Sequence, residues 1–164
     1  GGIVEVFATG LPVGMGNPNY DGIENRLGAT LFGMPAVKGI SFGSGFPGCA
    51  SRGSEQNDPF IITDEGIRTK NNNSGGIQGG ITNGMPLVMQ VGIKPTPSIY
   101  HEQNSVSLSN HSAEVLQIKG RHDPCVALRA VPVVEALTAL VLLDFVLEHD
   151  PHVFRHFSHP ALEV

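Results

Sequence analysis

There is no tryptophan in these 164 residues, there are only two tyrosines and two cysteines, and the four charged residue types together make up 15% of the chain. Two cysteines, Cys49 and Cys125, are too few for a disulfide framework and lack the paired spacing of a metal site. The chain therefore suits a reducing compartment, and a cytoplasmic location is expected. Basic residues are in deficit, with 10 Lys+Arg against 15 Asp+Glu for a net charge of -5, and no basic stripe interrupts that balance. No nucleic-acid partner is expected on that ground. No unbroken apolar run reaches the roughly 18 residues of a membrane span, so no membrane partner is expected. The start also lacks a methionine and a signal-peptide pattern. Gly1 Gly2 Ile3 Val4 Glu5 Val6 Phe7 reads as a strand already under way, so a fragment is expected whose remainder lies upstream. What is plentiful is apolar residue, 40% of the chain, together with 21 Gly and 12 Pro. This is a folded chain with a real core, one domain or most of one, whose loops hold much of the interest.

Residues 3–8 alternate as a half-buried strand, and 10–19 form a Gly- and Pro-rich loop. Asp21 reads as an N-cap. Ile23, Leu27, Leu31 and Met34 then recur at helical spacing before Pro35, predicting a helix over about 21–34. Val37 to Phe42 reads as a strand, and 43–58 as an irregular connection with at most a short helix around Ala50. Residues 59–70 read as a short strand and turn, 71–84 as a glycine loop, 86–94 as a strand and 98–119 as an exposed hairpin or meander. From Ala130 to His149, Val133, Val134, Leu137, Leu140, Val141 and Phe145 mark the strongest helix. Its low charge predicts burial around much of its circumference.

Four segments have residue types suited to chemistry. In Asn71–Gly84, two Gly pairs let backbone N–H groups approach a ligand, although the spacing is neither a P-loop nor a dinucleotide fingerprint and a plain surface turn remains the alternative. Lys94 Pro95 Thr96 Pro97 Ser98 sets a cation and two hydroxyls on a Pro-stiffened turn, which suits a phosphate monoester as well as a structural turn. Arg121 His122 Asp123 Pro124 Cys125 gathers a cation, an imidazole and a carboxylate at a helix entry, either a titrating group or a salt-bridged cap. Cys125 reads as a packed thiol rather than a nucleophile. His149, His152, His156 and His159 lie in a segment punctuated by Pro151 and Pro160, which reads as a solvated tail, so no metal site is expected.

The stretch R-H-D-P-C-V-A-L-R-A-V-P-V-V-E-A-L, Arg121 to Leu137, resembles the C-terminal signature of the chorismate synthase family. G-G-I-Q-G-G-I-T-N-G and K-P-T-P-S-I are similar to that family's flavin-binding segments, and A-V-K-G-I-S-F-G-S-G-F to the strand and loop before them. The opening G-G-I-V-E-V and G-L-P-V-G-M-G are similar to its mid-chain. The resemblance covers residues 1 to about 148 as the C-terminal part of the family's domain, with 149–164 a His-rich tail outside it.

It implies an α+β fold, a β-α-β sandwich in which antiparallel sheets enclose a helical layer, present here in part. It also implies a tetrameric intact enzyme that removes phosphate and a ring hydrogen from 5-enolpyruvylshikimate 3-phosphate to give chorismate, using reduced FMN without net redox change. By motif, Pro35, Ala36, Gly79, Lys94, Pro95, Thr96, Pro97, Ser98 and Arg121 fall where the family contacts FMN, with Asn72 a further such position. Asp123 falls where the family's carboxylate sits near flavin N5. Pro35 stands where relatives often carry a polar residue, which leaves a backbone contact there. The family's two protonating histidines lie upstream of the matched region. The resemblance leaves open whether the parent reduces its flavin with NAD(P)H, and it admits an inactive flavin-binding fragment as the alternative.

Overall fold

A computed structural model describes residues 1–149. Strand β1 (Gly2–Ala8) opens the chain, and a 3-10 turn, Asn19–Asp21, leads into helix α1 (Ile23–Phe32). Ile23, Leu27 and Leu31 put one face of α1 in the core, as their spacing predicts. Its start differs from the sequence expectation. Gly22 is the N-cap, no side chain caps the helix, and Asp21 instead pairs with Arg26 at 2.7 Å. The missing cap is supplied by backbone, since the Ile23 N–H donates to the Gly80 carbonyl at 3.0 Å.

Strand β2 (Val37–Phe42) follows, then two one-turn helices, α2 (Gly45–Gly48) and α3 (Gly53–Gln56), where a single short helix was expected. Strands β3 (Phe60–Thr63) and β4 (Gly66–Thr69) form a hairpin, β5 (Ile77–Gln78) and β6 (Ile81–Thr82) a minimal one inside the glycine loop. Strand β7 (Leu87–Ile93) alternates strictly, with Leu87, Met89, Val91 and Ile93 buried. It is the centre of a three-stranded antiparallel sheet of order β1-β7-β2. An exposed hairpin, β8 (Glu102–Ser107) and β9 (Ser112–Gln117), precedes the long helix α4 (Ala127–His149).

Helices α1 and α4 pack together on one face of this sheet. The result is one sheet and one helical layer, a part of a β-α-β sandwich. Only one stripe of α4 is buried, from Ala127 through Ala130, Val134, Thr138 and Leu142 to Phe145. Leu128, Val131, Val133, Leu140 and Leu143 are exposed, which corrects the expectation of burial around much of the helix. The reason is geometric: α1 and β1 reach one side of it only. In length and composition α4 is also apolar enough to cross a membrane, a test that core helices of soluble proteins pass too, and its buried stripe serves as core here.

The far end of α4 is clamped to α1. Arg26 reaches Asp144 at 2.8 Å and Glu148 at 2.9 Å, and its guanidinium lies 4.3 Å from the centre of the Phe145 ring. Its hydrogen bond to Asp21 holds that carboxyl below the usual carboxylate range. Asp21 therefore contributes stability above that range and loses it as pH falls through the lowered value.

Candidate functional site

The chain turns sharply at both ends of the central strand β7, and the candidate residues divide between those ends. Seven residues of strand separate them by about 20 Å.

At the Ile93 end, three segments meet. Ala36 has φ +71, an uncommon left-handed conformation for a residue with a side chain, and its carbonyl accepts the Lys94 N–H at 2.9 Å. The turn preceding β2 is thereby tied to the start of Lys94–Ser98. That segment in turn faces 120–124, because both the exit of β7 and the entry of α4 lie at this edge. Between them is a cavity of about 350 Å³, lined by Pro95, Thr96, Ser98, Tyr100, His122, Asp123 and Pro124 among others. Two segments read separately in the sequence thus form one concavity.

The polar groups of this cavity are unevenly satisfied. Thr96 Oγ1 is buried and has no hydrogen-bond partner among the described residues, a costly state for a hydroxyl unless a ligand completes it. Asp123 is half-buried, and its Oδ2 lies 3.0 Å from Nη1 of Arg129. Asp123 lies four residues ahead of the first residue of α4, outside the N-cap position, so of the salt-bridged cap the salt bridge is present and the cap is not. Lys94 and Arg121 adjoin the lining residues in sequence, are exposed and form no ion pair among the described residues, and neither lines the cavity. Pro35 and Pro97 are exposed near this end without lining the cavity. Cys125 is half-buried against the core, as a packed thiol should be.

Asn72 and Gly79 lie at the other end of β7, away from this cavity. The glycine loop there is a packed turn rather than an open cradle. Gly43 (φ +55) and Gly75 (φ +64) cross so closely that a Cβ on Gly43 would sit 2.0 Å from the Asn73 carbonyl oxygen, so the two left-handed glycines are required by contact as well as conformation. Asn72 donates Nδ2 to the Pro86 carbonyl at 2.8 Å, while its Oδ1 and Asn83 Nδ2 are buried without partners among the described residues. Gly79 is exposed, with open space around it.

Two contributors escape a sequence reading. Asp58, almost fully buried, accepts the N–H groups of Asn73 at 2.9 Å and Ser74 at 2.8 Å and so anchors the glycine loop from a distant segment. Arg129 lies inside the quoted signature, but only its position one turn into α4 reveals its pairing with Asp123. No group of three or more metal-ligating side chains exists among the described residues. His152, His156 and His159 lie outside the described residues.

The family model for chorismate synthase matches residues 1–147. A chorismate synthase of Dehalococcoides mccartyi strain BAV1 is 51% identical over 147 residues, covering 90% of this chain and 40% of the relative. One of Archaeoglobus fulgidus is 48% identical, covering 90% of this chain and 41% of that protein. A crystal structure of chorismate synthase superposes with a TM-score of 0.70 at 31% identity, over 90% of this chain and 37% of that one. The chain thus spans about 40% of the length of the relatives it matches.

Proposed function

The chain belongs to the chorismate synthase family, and from that premise we propose that residues 1–148 are the C-terminal part of an enzyme converting 5-enolpyruvylshikimate 3-phosphate to chorismate and phosphate. The reaction is a 1,4-elimination by a carbon–oxygen lyase of the shikimate pathway, with reduced FMN and no net redox change. The observation that carries this reading is the cavity between Lys94–Ser98 and 120–124, where Thr96 Oγ1 is buried without a partner. An orphaned hydroxyl in a concavity whose two segments carry Lys94 and Arg121, both without an ion pair among the described residues, fits a cofactor with a phosphate and a polyhydroxyl chain.

Reduced FMN, when bound, carries the electronic difficulty of breaking a ring C–H bond too weakly acidic for an ordinary base. The chain's own residues position it. Lys94 offers a point charge to the phosphate and Thr96 and Ser98 offer hydroxyls, while Pro95 and Pro97 limit the ordering entropy lost on binding. The left-handed Ala36 is tied to Lys94, which supports a backbone contact from 35–36 to the cofactor. Arg121 would supply positive charge to an anionic flavin and substrate, and the Asp123 carboxylate would serve as the proton acceptor beside the flavin ring. Asn72 and Gly79, at the far end of β7, are proposed as flavin contacts by motif alone. Homotetramer formation, a cytoplasmic location and the absence of nucleic-acid and membrane partners belong to the same reading, as does the assignment of 149–164 to a tail outside the domain.

A second reading applies to the 164 residues by themselves. The exposed apolar side of α4 and the span of about 40% of the relatives favour an isolated chain that keeps part of the flavin site and performs no chemistry. Anaerobic phosphate release with reduced FMN, measured on the chain and on its intact parent, separates the two. Release by the parent alone supports both statements, and a parent that releases none removes the enzyme reading.

Lys94→Ala in the parent is expected to weaken FMN binding by about 1.5–3 kcal/mol through loss of a charge-assisted bond to phosphate. A flavin titration checks it, and parental affinity would return Lys94 to an ordinary turn.

A further inference from the structure

Asp123 and Arg129 are held on one stiff segment. Pro124 fixes the backbone after Asp123, and the Arg129 N–H donates to the Val126 carbonyl at 3.0 Å as α4 begins. Arg129 Nη1 meets Asp123 Oδ2 at 3.0 Å, and Oδ1 of the same carboxylate has no ion-pair partner among the described residues. The side chains are 71% and 40% exposed respectively, so the pair contributes little to stability. What it fixes is direction. One oxygen is occupied from the helix side, leaving the other available on a side chain that lines the cavity with Thr96 and His122. The two arginines of the signature thus differ: Arg121 is unpaired among the described residues, whereas Arg129 is committed to the carboxylate.

Resting on the flavin reading of this cavity, we propose that Arg129 is a positioning residue for the elimination, holding the Asp123 carboxylate in the orientation its proton transfer requires. It touches neither cofactor nor substrate. Its removal misdirects the carboxylate without removing a binding contact, so the loss falls on turnover.

The test uses the full-length enzyme that carries this chain, with Arg129→Met, Arg129→Lys, Asp123→Asn and the Met–Asn double variant. Phosphate release with reduced FMN gives kcat and KM, titration of flavin-free protein with FMN gives Kd, and thermal denaturation gives Tm. Arg129→Met is expected to lower kcat about 10- to 100-fold with KM and Kd within about twofold, because misplacement by an ångström costs that much in rate. Tm should barely move, Arg129→Lys should recover much of the loss, and Arg129→Met should cost nothing further on the Asp123→Asn background. Should the Met variant not fold, Arg129→Gln is read in the same way. Parental kcat in Arg129→Met, or losses that multiply in the double variant, would overturn the proposal. A tenfold rise in Kd would also overturn it by making Arg129 a cofactor ligand. An inactive parent removes the flavin-enzyme reading and this proposal with it, whereas an active parent with an unaffected Arg129→Met removes the proposal alone.

Discussion

Asp123→Asn in the intact enzyme should lower turnover about 10²- to 10⁴-fold, the range expected when a well-placed general base is removed. Asparagine keeps the size and much of the hydrogen-bonding reach of aspartate, so FMN and substrate affinity should change little. The alternative is structural. Asp123 pairs with an Arg129 side chain that is 71% exposed, and such surface pairs contribute about 0–1 kcal/mol. A merely structural Asp123 would therefore give a slightly lower melting temperature and parental turnover. Rate and melting temperature measured on one preparation separate these outcomes, and a variant with parental kcat removes Asp123 from the chemistry whatever its stability.

Phe145→Ala should cost about 3–5 kcal/mol of folding stability, the range for truncating a fully buried aromatic. Phe145 is 1% exposed, sits near the end of α4 and carries the Arg26 guanidinium 4.3 Å from its ring centre. Truncation opens a cavity between α4 and its neighbours and takes the face from beneath Arg26, which also holds Asp144 and Glu148. The loss would be a large share of a typical domain's stability. Urea unfolding of the parent and variant measures it. A change below about 1 kcal/mol would mean that the end of α4 is not docked as described.

Elements whose side chains repeat with a clear period were legible in the sequence. β7 alternates without exception, and Ile23, Leu27 and Leu31 place α1 to within a residue or two. Asp21 misled because an acidic residue before a periodic run resembles a cap, while the actual cap is a carbonyl from Gly80, far along the chain and invisible to local pattern. The short helices α2 and α3 were blurred by glycine and serine, whose propensities favour neither helix nor strand. The burial of α4 was overestimated because a sparsely charged helix reports how much of its surface is apolar, without saying which neighbour covers it. The glycine loop read as a ligand loop or a plain turn, because backbone contacts such as those of Gly75 and Gly80 and a ligand's approach demand the same residues.

The candidate site was legible as separate pieces. Lys94–Ser98 and Arg121–Asp123 carry recognisable chemistry, but their meeting depends on β7 and α4 sharing one edge of the fold. The Ala36 carbonyl bonded to the Lys94 N–H and the Asp123–Arg129 pair are likewise products of that junction. Thr96 is one of the two hydroxyls that turn offers, and that its hydroxyl is the orphaned one follows only from the fold.

That hydroxyl offers the most direct measurement: a crystal structure of the intact parent with reduced FMN bound. The expected result is flavin density between Lys94–Ser98 and 120–124, with Thr96 Oγ1 hydrogen-bonded to the cofactor and the Asp123 carboxylate facing the flavin ring. Flavin bound elsewhere, with Thr96 Oγ1 still unpartnered and this cavity filled by protein or solvent, would contradict it.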